Sequence, residues 1–345
     1  MYVLARALLF ALDAEAAHHL TLFSLRVAQR LGLLKLLAAP QPPKPVELMG
    51  LIFANRIGLA AGFDKNATCI EAMGDLGFGF IEVGTLTPKA QAGNPRPRIF
   101  RLPKARAVIN RMGFPNEGVA AATIRLRRRR YNGVCGVNIG KNAATPLEEA
   151  TADYVAALRA VYECADYVTI NISSPNTPGL RQLQEGDHLR PLLQALLATR
   201  TELAERVGWR VPLVVKLSPD LSADELAVTA GVIRELQIDG VIATNTTLDR
   251  AAVAGLAHAE RAGGLSGEPL REKSTALIRQ LRELLGPDMP LIGVGGISSA
   301  ADATAMFAAG ADLIQVYTGL VYRGPGLVRE LVSAEGRRRP RHNRP

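Results

Sequence analysis

Two periodicities of apolar residues alternate along most of the chain. Short runs of consecutive apolar residues predict buried strands, and apolar residues spaced three and four apart predict helices between them. The eight predicted strands are residues 57–60, 81–83, 136–138, 168–171, 214–217, 240–244, 291–293 and 313–316. The predicted helices that separate the later strands include residues 147–164, 189–206, 224–236 and 270–285.

This alternation of strands and helices predicts the α/β fold class. Eight strand–helix units over ~290 residues point to a closed (β/α)8 TIM barrel. An open, doubly wound parallel sheet is the competing architecture. Its dinucleotide-binding version is disfavoured, because no G-x-G-x-x-G motif opens a helix near the start of the alternation. A β-hairpin over residues 46–53, interrupted at Gly50, is predicted to precede the barrel, and the insertion between the second and third strands is expected to be helix and loop.

The pattern at the N-terminus differs, since it predicts a pair of amphipathic helices. Residues 1–12 are mostly apolar with Arg6 as the only charge, and Asp13 is suited to cap a second helix over residues 14–37. Neither apolar run reaches the ~18–20 residues needed to cross a bilayer, and the segment is a poor signal peptide. The pair either lies in a membrane interface or packs on the body of the protein, and the pattern does not decide between them.

Proline-rich residues 40–45 mark a natural boundary after these helices. We therefore expect three parts: a helical extension over residues 1–39, a barrel over residues 46–335, and a basic tail over residues 336–345 that is disordered. The tail and residues 125–130 hold much of the net charge of +9. Blocks of like charge are usually solvated, and contact with anionic lipid or nucleic acid is the sharper alternative.

Composition narrows these alternatives. Apolar residues make up 48% of the chain, which is enough for a large core. Aromatic residues make up 5% and none lies within the basic runs, so no nucleic-acid partner is expected. The three cysteines lie far apart without paired spacing, which fits a reducing compartment and argues against disulfides or a cysteine zinc site.

The residues that follow the predicted strands are rich in Asn, Thr and Gly and poor in His and carboxylates. Zinc hydrolases need clustered His and acidic residues and glycosidases need two carboxylates, so neither class and no metal site is expected. Glycine-rich turns at residues 293–296 and 318–319 follow the last two strands, where such barrels bind phosphate. Amides suited to a flat ring, together with one phosphate, predict FMN. Lys216 could stabilise a reduced flavin and Lys65 a substrate carboxylate, although either could instead reach solvent.

Eight motifs, spread in order from about residue 46 to residue 330, resemble those of dihydroorotate dehydrogenases. They are AAGFDKN (60–66), NRMGF (110–114), NISSPNTPGL (171–180), KLSPD (216–220), ATNTT (243–247), GGLSG (263–267), GVGGI (293–297) and QVYTGL (315–320). The N-terminal helices resemble the extension of the membrane-associated, quinone-dependent class 2. Ser174 agrees with that class, since the soluble class 1 carries Cys at this position.

The resemblance implies a role for each matching position. Ser174 is the base that takes the C5 proton of dihydroorotate while hydride leaves C6 for the flavin. The implied substrate-binding residues are Lys65, Asn110, Arg111, Met112, Gly113, Phe114, Asn171, Asn176, Asn245 and Thr246. The implied FMN-binding residues are Ala61, Gly62, Phe63, Asp64, Lys65, Thr85, Asn138, Asn171, Lys216, Thr244, Gly267, Gly296, Tyr317 and Thr318. His18, Arg101 and Tyr317 are expected to line a quinone path.

The implied activity is oxidation of (S)-dihydroorotate to orotate in de novo pyrimidine (UMP) biosynthesis. One FMN per chain accepts the hydride, and a membrane quinone is the final electron acceptor. The resemblance also implies a monomer, held peripherally by residues 1–39 at the cytoplasmic face of the bacterial cell membrane.

Three other functions are compatible with parts of the pattern. They are a soluble class 1 relative that uses fumarate or NAD, a flavin barrel that reduces uridine in tRNA, and a non-enzymatic membrane-bound barrel. Ser174 also poses a chemical question, because a free hydroxyl is a weak base. Neighbouring hydrogen bonds, a proton path, or a carbanion stabilised through Lys65 and the Asn cluster could each help it.

Overall fold

A computed structural model describes residues 2–37 and 45–336. The predicted tail beyond residue 336 and most of the proline-rich boundary lie outside the described residues. The strands are β1 (Val46–Leu48), β2 (Leu51–Phe53), β3 (Ile57–Leu59), β4 (Phe80–Leu86), β5 (Ile99–Leu102), β6 (Ala107–Asn110), β7 (Val134–Ile139), β8 (Tyr167–Asn171), β9 (Leu213–Leu217), β10 (Gly240–Ala243), β11 (Gly264–Gly267), β12 (Leu291–Val294) and β13 (Leu313–Val316).

The helices are, in chain order, α1 (Tyr2–Ala11), α2 (Ala14–Arg30), α3 (Leu34–Leu37), α4 (Ile70–Asp75), α5 (Gly118–Arg127), α6 (Ala150–Val161), α7 (Gly186–Val207), α8 (Ala223–Glu235), α9 (Arg271–Leu285), α10 (Ala300–Ala308), α11 (Thr318–Arg323) and α12 (Gly326–Gly336). Each of the four helices predicted between later strands is present, with bounds that differ from the prediction by at most three residues.

Eight parallel strands close into a barrel in the order β3–β4–β7–β8–β9–β10–β12–β13, and β13 pairs with β3. The predicted TIM barrel is therefore confirmed and the open sheet is wrong. The apolar runs agree with strands that are covered on both faces, and the pairing of β13 with β3 is what closes the sheet. β8, β9, β10, β12 and β13 are buried along their whole length.

Large side chains facing small ones fill the inside of the barrel. Phe80 and Tyr167 begin β4 and β8, and their rings lie against Gly58 and Gly136. The predicted hairpin, β1 with β2, contributes Phe53, whose ring meets that of Phe80 at 5.2 Å. The amino-terminal end of the barrel is thus packed, which leaves the carboxyl ends of the strands for a cavity.

The insertion between β4 and β7 contains a helix, α5, and loops, as predicted, but it also contains strands that were not predicted. It contains β5 and β6, which pair antiparallel with each other and with β11 in a three-stranded sheet. In β5 the burial alternates along the strand, with Phe100 and Leu102 buried. These side chains pack in a small separate core with Ile109 and Leu265. The sheet forms because β11, distant in sequence, supplies the third strand.

The N-terminal helices pack on the barrel beside this sheet. Asp13 caps α2 as predicted, accepting hydrogen bonds from the N–H groups of Glu15 and Ala16 at 3.0 Å each. The predicted helix 14–37 is broken into α2 and α3, because Gly32 adopts a left-handed conformation with φ of 70°. None of the helices in the described part of the chain combines the length and the apolarity that crossing a bilayer requires.

Candidate active site

A cavity of about 700 Å³ opens at the carboxyl ends of the barrel strands and continues between α1 and α2. Nearly all the residues predicted for substrate, flavin and quinone line it. They are His18, Ala61, Gly62, Phe63, Lys65, Thr85, Arg101, Asn110, Met112, Gly113, Phe114, Asn171, Ser174, Asn176, Lys216, Thr244, Asn245, Thr246, Gly267, Gly296, Tyr317 and Thr318. One continuous cavity therefore joins the barrel mouth to the N-terminal helices.

Three predicted residues lie outside the cavity lining. The carboxylate of Asp64 accepts hydrogen bonds from the backbone N–H groups of Thr68 and Cys69 at 2.8 and 2.6 Å, so it fixes the loop before α4. The guanidinium of Arg111 donates to the carbonyl of Pro97 at 2.9 Å. Asn138 is fully buried one layer deeper in the barrel. These residues support the site through the backbone or through other side chains.

The floor of the cavity is a network of amides. The Asn171 amide nitrogen donates to Thr85 Oγ1 at 2.9 Å and to Asn138 Oδ1 at 3.1 Å. Thr85 Oγ1 also donates to Asn138 Oδ1 at 2.6 Å. Asn245 Nδ2 donates to Asn171 Oδ1 at 3.3 Å. This network orients uncharged donors and acceptors toward the cavity and fixes their rotamers.

Ser174 lies in the loop after β8, as predicted, and is almost completely buried. Its Oγ accepts a hydrogen bond from the backbone N–H of Asn176 at 3.3 Å. Its hydroxyl proton is donated to no other part of the described chain. The amide of Asn176 donates to Asn110 Oδ1 at 3.2 Å, which joins this loop to the segment after β6.

Arg181 fixes the same loop through hydrogen bonds to the loops that follow β8, β9 and β10. Its Nε donates to the carbonyl of Ser173 at 3.1 Å, and its two terminal nitrogens donate to Asp220 Oδ2 and to the carbonyl of Thr246, each at 2.9 Å. Burial favours the neutral form of Asp220, but hydrogen bonds led by that from Lys273 hold its pKa below the usual range. One guanidinium therefore ties together the loops after β8, β9 and β10.

Lys65 brings a positive charge to the cavity near α2. Its ammonium donates to the carbonyl of Gly62 at 2.7 Å. Burial lowers the pKa of Lys65 to about 8, although the nearby carboxylates of Glu15 and Asp64 act in the opposite direction. Burial, with the charge of Lys65, lowers the pKa of His18 to about 3, so this imidazole is neutral at physiological pH. The ammonium is thus the cationic member of this pair.

Lys216 brings a second charge to the cavity, at the end of β9. Its ammonium forms no hydrogen bond within the described chain. Burial lowers its pKa, and the negative charge of Glu82 opposes that shift. Glu82 is fully buried and accepts hydrogen bonds from Asn138 Nδ2 at 2.8 Å, Tyr167 OH at 3.0 Å and Gln315 Nε2 at 2.8 Å. A buried carboxylate beneath the cavity thus balances the charge of Lys216.

The turns after β12 and β13 provide backbone donors. The N–H groups of Gly295 and Gly296 donate to no group in the described part of the chain, and both residues have left-handed φ values of 126° and 73°. Thr318 begins α11 and its hydroxyl donates to Ser266 Oγ at 2.8 Å. Free N–H groups at two adjacent glycines fit an anionic group such as a phosphate.

Aromatic rings connect α2 to this end of the barrel. The rings of His18 and Phe63 meet edge-on at 5.3 Å, and those of Phe63 and Tyr317 at 5.6 Å. The guanidinium of Arg101 lies 4.7 Å from the centre of the Phe10 ring and donates to the carbonyls of Leu9 and Leu12 at the end of α1. The three predicted quinone-path residues therefore lie along one apolar channel.

Sequence reasoning missed several residues that shape the site. Glu82 and Gln315 interrupt otherwise apolar strands, which is a signal for a buried polar network. Ser266 could not be placed, because its position depends on the unpredicted pairing of β11 with β6. Glu15 and Arg98 form a buried ion pair beside Lys65, and nothing in the local sequence of either residue indicates the other.

Comparisons with known proteins agree on one family. A family model described as Dihydroorotate dehydrogenase matches residues 45–334. A protein named dihydroorotate dehydrogenase (quinone) from Stenotrophomonas maltophilia is 56% identical over 340 residues, covering 98% of this chain and 97% of that protein. A protein of the same name from Azotobacter vinelandii is 55% identical over 334 residues, covering 97% of this chain and 96% of that protein.

Solved structures from Eimeria tenella are similar along most of the chain. The crystal structure of DHODH in complex with ferulenol aligns with a TM-score of 0.86 and 39% identity, covering 93% of this chain and 90% of that one. The crystal structure of the ligand-free form aligns with a TM-score of 0.81 and 39% identity, covering 89% of this chain and 93% of that one. The similarity therefore includes the barrel and reaches beyond it.

Proposed function

The chain belongs to the dihydroorotate dehydrogenase family, and on this premise we propose how its cavity carries out the reaction of that family. The chain is a flavin-dependent enzyme that oxidises dihydroorotate to orotate and passes the electrons to a quinone, in pyrimidine biosynthesis. The interpretations as a tRNA-modifying or non-enzymatic barrel do not agree with this family. Our residue assignments rest above all on one observation: Ser174, Lys65 and Lys216 line the same cavity.

The flavin is FMN, one per chain, and the donors in the cavity fit it. Free N–H groups at Gly295 and Gly296 suit its single phosphate, and Lys216 suits the negative charge that a reduced flavin carries. Bound FMN would supply the hydride acceptor for C6 of dihydroorotate and the electron donor for the quinone. Thr85, Asn171 and Thr244 hold the ring by hydrogen bonds, and Ala61, Gly62 and Gly267 allow close approach of the backbone.

Dihydroorotate lies between Lys65 and the amide side chains. We assign the Lys65 ammonium to the substrate carboxylate, because it lines the same cavity as Ser174, no carboxylate contacts it directly, and the other cavity lysine, Lys216, is assigned to the flavin. Asn110 and Asn176, already joined at 3.2 Å, and Asn245 with Thr246 hydrogen-bond the ring. Edge-on recognition by amides orients a ring with alternating donors and acceptors.

Ser174 removes the proton from C5 of dihydroorotate. As Ser174 Oγ takes the C5 proton, it passes its own hydroxyl proton to water in the cavity. The backbone N–H of Asn176 donates to this Oγ and stabilises the negative charge that develops on it during the transfer. Of the three sources of help for a weak base, a neighbouring hydrogen bond is thus available. The fixed loop also positions Oγ, since Arg181 holds the preceding carbonyl.

The quinone reaches the cavity between α1 and α2, past His18, Arg101 and Tyr317. Supporting this path, the cavity lining continues along apolar side chains of both helices. We assign residues 1–39 as this quinone-access and membrane-contact extension, and residues 46–335 as the catalytic barrel. The protein is a monomer that binds peripherally to the cytoplasmic face of the bacterial cell membrane.

An anaerobic spectroscopic experiment tests the proposal. The purified protein should show an oxidised flavin spectrum that dihydroorotate bleaches, and a ubiquinone analogue should restore it whereas fumarate and NAD should not. Recovery with fumarate or NAD would overturn the quinone assignment and move the chain to the soluble class. A flavin that dihydroorotate does not bleach would overturn the substrate assignment.

A further inference from the structure

One buried ion pair joins the N-terminal helices to the barrel. The Glu15 side chain in the first turn of α2 is only 7% exposed, and that of Arg98, just before β5, is 5% exposed. The two terminal groups meet side-on: Arg98 Nη2 lies 2.6 Å from Glu15 Oε1, and Arg98 Nε lies 3.1 Å from Oε2. Two parallel hydrogen bonds between a guanidinium and a carboxylate require a strict geometry. The pair therefore fixes the position of α2 as well as neutralising both charges.

The same guanidinium organises the segment that carries the substrate loop. Arg98 Nη1 donates to the carbonyls of Ala92 and Asn94 at 2.6 and 2.9 Å. The Asn94 amide in turn donates to the carbonyl of Asn176 at 3.1 Å, and its backbone N–H donates to the carbonyl of Met112 at 2.9 Å. A chain of hydrogen bonds thus runs from α2, through Arg98 and Asn94, to both loops assigned to dihydroorotate.

We propose that Glu15 and Arg98 are positioning residues that make the dihydroorotate site depend on the docking of the N-terminal helices. This inference rests on the proposed function, in which Asn176 and the segment of Met112 hold the substrate. It gives the helices a role in the first half-reaction, in addition to the path they provide for the quinone. Without the ion pair, Asn94 loses its support and the two substrate loops lose their common anchor.

The pair also acts on the charge of Lys65. Four groups near this ammonium carry or can carry charge: Glu15 and His18 on α2, Arg98 before β5, and the adjacent Asp64. Glu15 favours the ammonium form, Arg98 disfavours it, and neutral His18 contributes no charge. Removing the charge of Glu15 while keeping its shape should therefore make Lys65 lose its proton at a lower pH.

Three full-length variants separate these effects. Glu15→Gln removes the negative charge but keeps a hydrogen-bond acceptor. Arg98→Lys keeps the positive charge but removes the planar guanidinium that forms two parallel hydrogen bonds with Glu15. Arg96→Ala is the matched control, because Arg96 donates to the same Glu15 Oε1 at 3.1 Å from a side chain that is 67% exposed. Stopped-flow reduction of the bound flavin then gives the dihydroorotate dissociation constant and the limiting rate separately.

We expect Glu15→Gln and Arg98→Lys to raise the dihydroorotate dissociation constant at pH 7 by about tenfold or more, with a smaller change in the limiting rate. In Glu15→Gln the loss of affinity at alkaline pH should begin at lower pH than in the wild type. In Arg98→Lys that pH dependence should stay where it is, since the charge is kept. Arg96→Ala should match the wild type in the dissociation constant, in the limiting rate and in the pH dependence of affinity.

Helix docking has its own readout, independent of the enzyme's substrate. The thiol of Cys69 is buried beneath α2 and donates to the carbonyl of Leu22 at 3.3 Å, and burial raises its pKa to about 12. Undocking of α2 would expose it. We expect both pair variants to react faster at Cys69 with a disulfide reagent, as located by mass spectrometry, and Arg96→Ala to react at the wild-type rate.

Substrate binding at wild-type affinity in both pair variants would overturn the inference. Weakened binding without faster reaction at Cys69 would also overturn it, because the site would then not depend on helix docking. A wild-type flavin that dihydroorotate fails to bleach would be a failure of the proposed function instead, and the Cys69 rates would still report whether the pair docks α2.

Discussion

At the scale of single residues, our proposed assignment gives the task of binding an anion and the task of moving a proton to two different side chains. Lys65 carries the charge, while Ser174 is uncharged and depends on one backbone N–H. A serine without an adjacent histidine is a weak base, so most of its contribution must come from position and from a substrate proton made more acidic by its surroundings. Substitution of each residue should therefore affect a different kinetic constant.

Ser174→Ala should leave the flavin bound and slow its reduction by dihydroorotate by about a thousandfold or more, since general base catalysis typically accelerates a reaction by about 10²–10⁴-fold. Ser173→Ala is the matched control, because the Ser173 hydroxyl is fully buried behind the cavity and accepts a hydrogen bond from Asn245. Its loss should slow reduction far less. Stopped-flow absorbance of the flavin measures both rates. Reduction of Ser174→Ala at the wild-type rate would exclude this residue as the base.

The pKa of Lys65 predicts how substrate affinity varies with pH. Burial depresses this pKa to about 8, so the ammonium that we propose to bind the substrate carboxylate is present below pH 8 and is lost as the pH rises through that value. The dihydroorotate dissociation constant should therefore be flat near pH 7 and increase about tenfold per pH unit above pH 9. Lys65→Met should bind weakly at every pH without this rise. Constant affinity from pH 7 to pH 10 would contradict the assignment.

Not every residue of the site can be found in the sequence. Ser174 and Lys65 follow predicted strands and stand in recognisable motifs, so their approach to one cavity follows from barrel closure. The pairing of Glu15 with Arg98 depends on how a helix docks against a distant segment, and no local pattern encodes that. Glu82 is an intermediate case, because a carboxylate within an apolar strand signals burial without revealing its partners.

At the scale of elements, the barrel depends on glycines placed opposite aromatic rings. A methyl group added at Gly58 in β3 would overlap the ring of Phe80, and one added at Gly136 in β7 would overlap the ring of Tyr167. Neither glycine has a left-handed backbone conformation. Glycine is therefore needed at both positions because a side chain would not fit, and not because of the backbone angles. Tyr167 is also held by Glu82, which leaves its ring little freedom to move.

Two glycine substitutions should change stability in opposite directions. Gly58→Ala should lower the free energy of unfolding by about 1–3 kcal/mol or more, because the packed interior cannot absorb the methyl group. Gly231→Ala should raise it by about 0.5–1 kcal/mol, since Gly231 lies within α8 with no atom within 4 Å of an added Cβ. Chemical denaturation of both variants provides the test. A Gly58→Ala variant as stable as the wild type would show that the Phe80 ring can shift.

The elements that were predicted correctly are those with local causes. Apolar runs identify all eight barrel strands, and helical spacing identifies four of the helices that cover them, α6 to α9. The sheet of β5, β6 and β11 was missed, because β11 follows β6 only after more than a hundred residues and its four-residue segment contains two glycines. The break between α2 and α3 was missed as well, since a glycine within an amphipathic pattern does not by itself end a helix.

At the scale of the whole molecule, exposed apolar side chains are concentrated on one part of the surface. Within the described part of the chain, α1 to α3 and their turns expose many large apolar side chains. They are Val3, Leu4, Leu8, Leu12, Leu20, Phe23, Val27, Leu31, Leu33 and Leu36. Because these helices also line the cavity, a membrane that covered their outer face would meet the entrance proposed for the quinone.

Membrane binding should therefore depend on these side chains more than on charge. Replacing Val3, Leu4 and Phe23, which are exposed and do not line the cavity, by Ser should abolish flotation with liposomes and raise KM for a long-tailed ubiquinone by about tenfold or more, while KM for a short-tailed analogue changes little. Replacing Val228 and Leu248, which are exposed elsewhere on the barrel, should alter neither property. Flotation of the triple variant at the wild-type level, lost only when salt is added, would mean that basic residues and anionic lipid hold the protein instead.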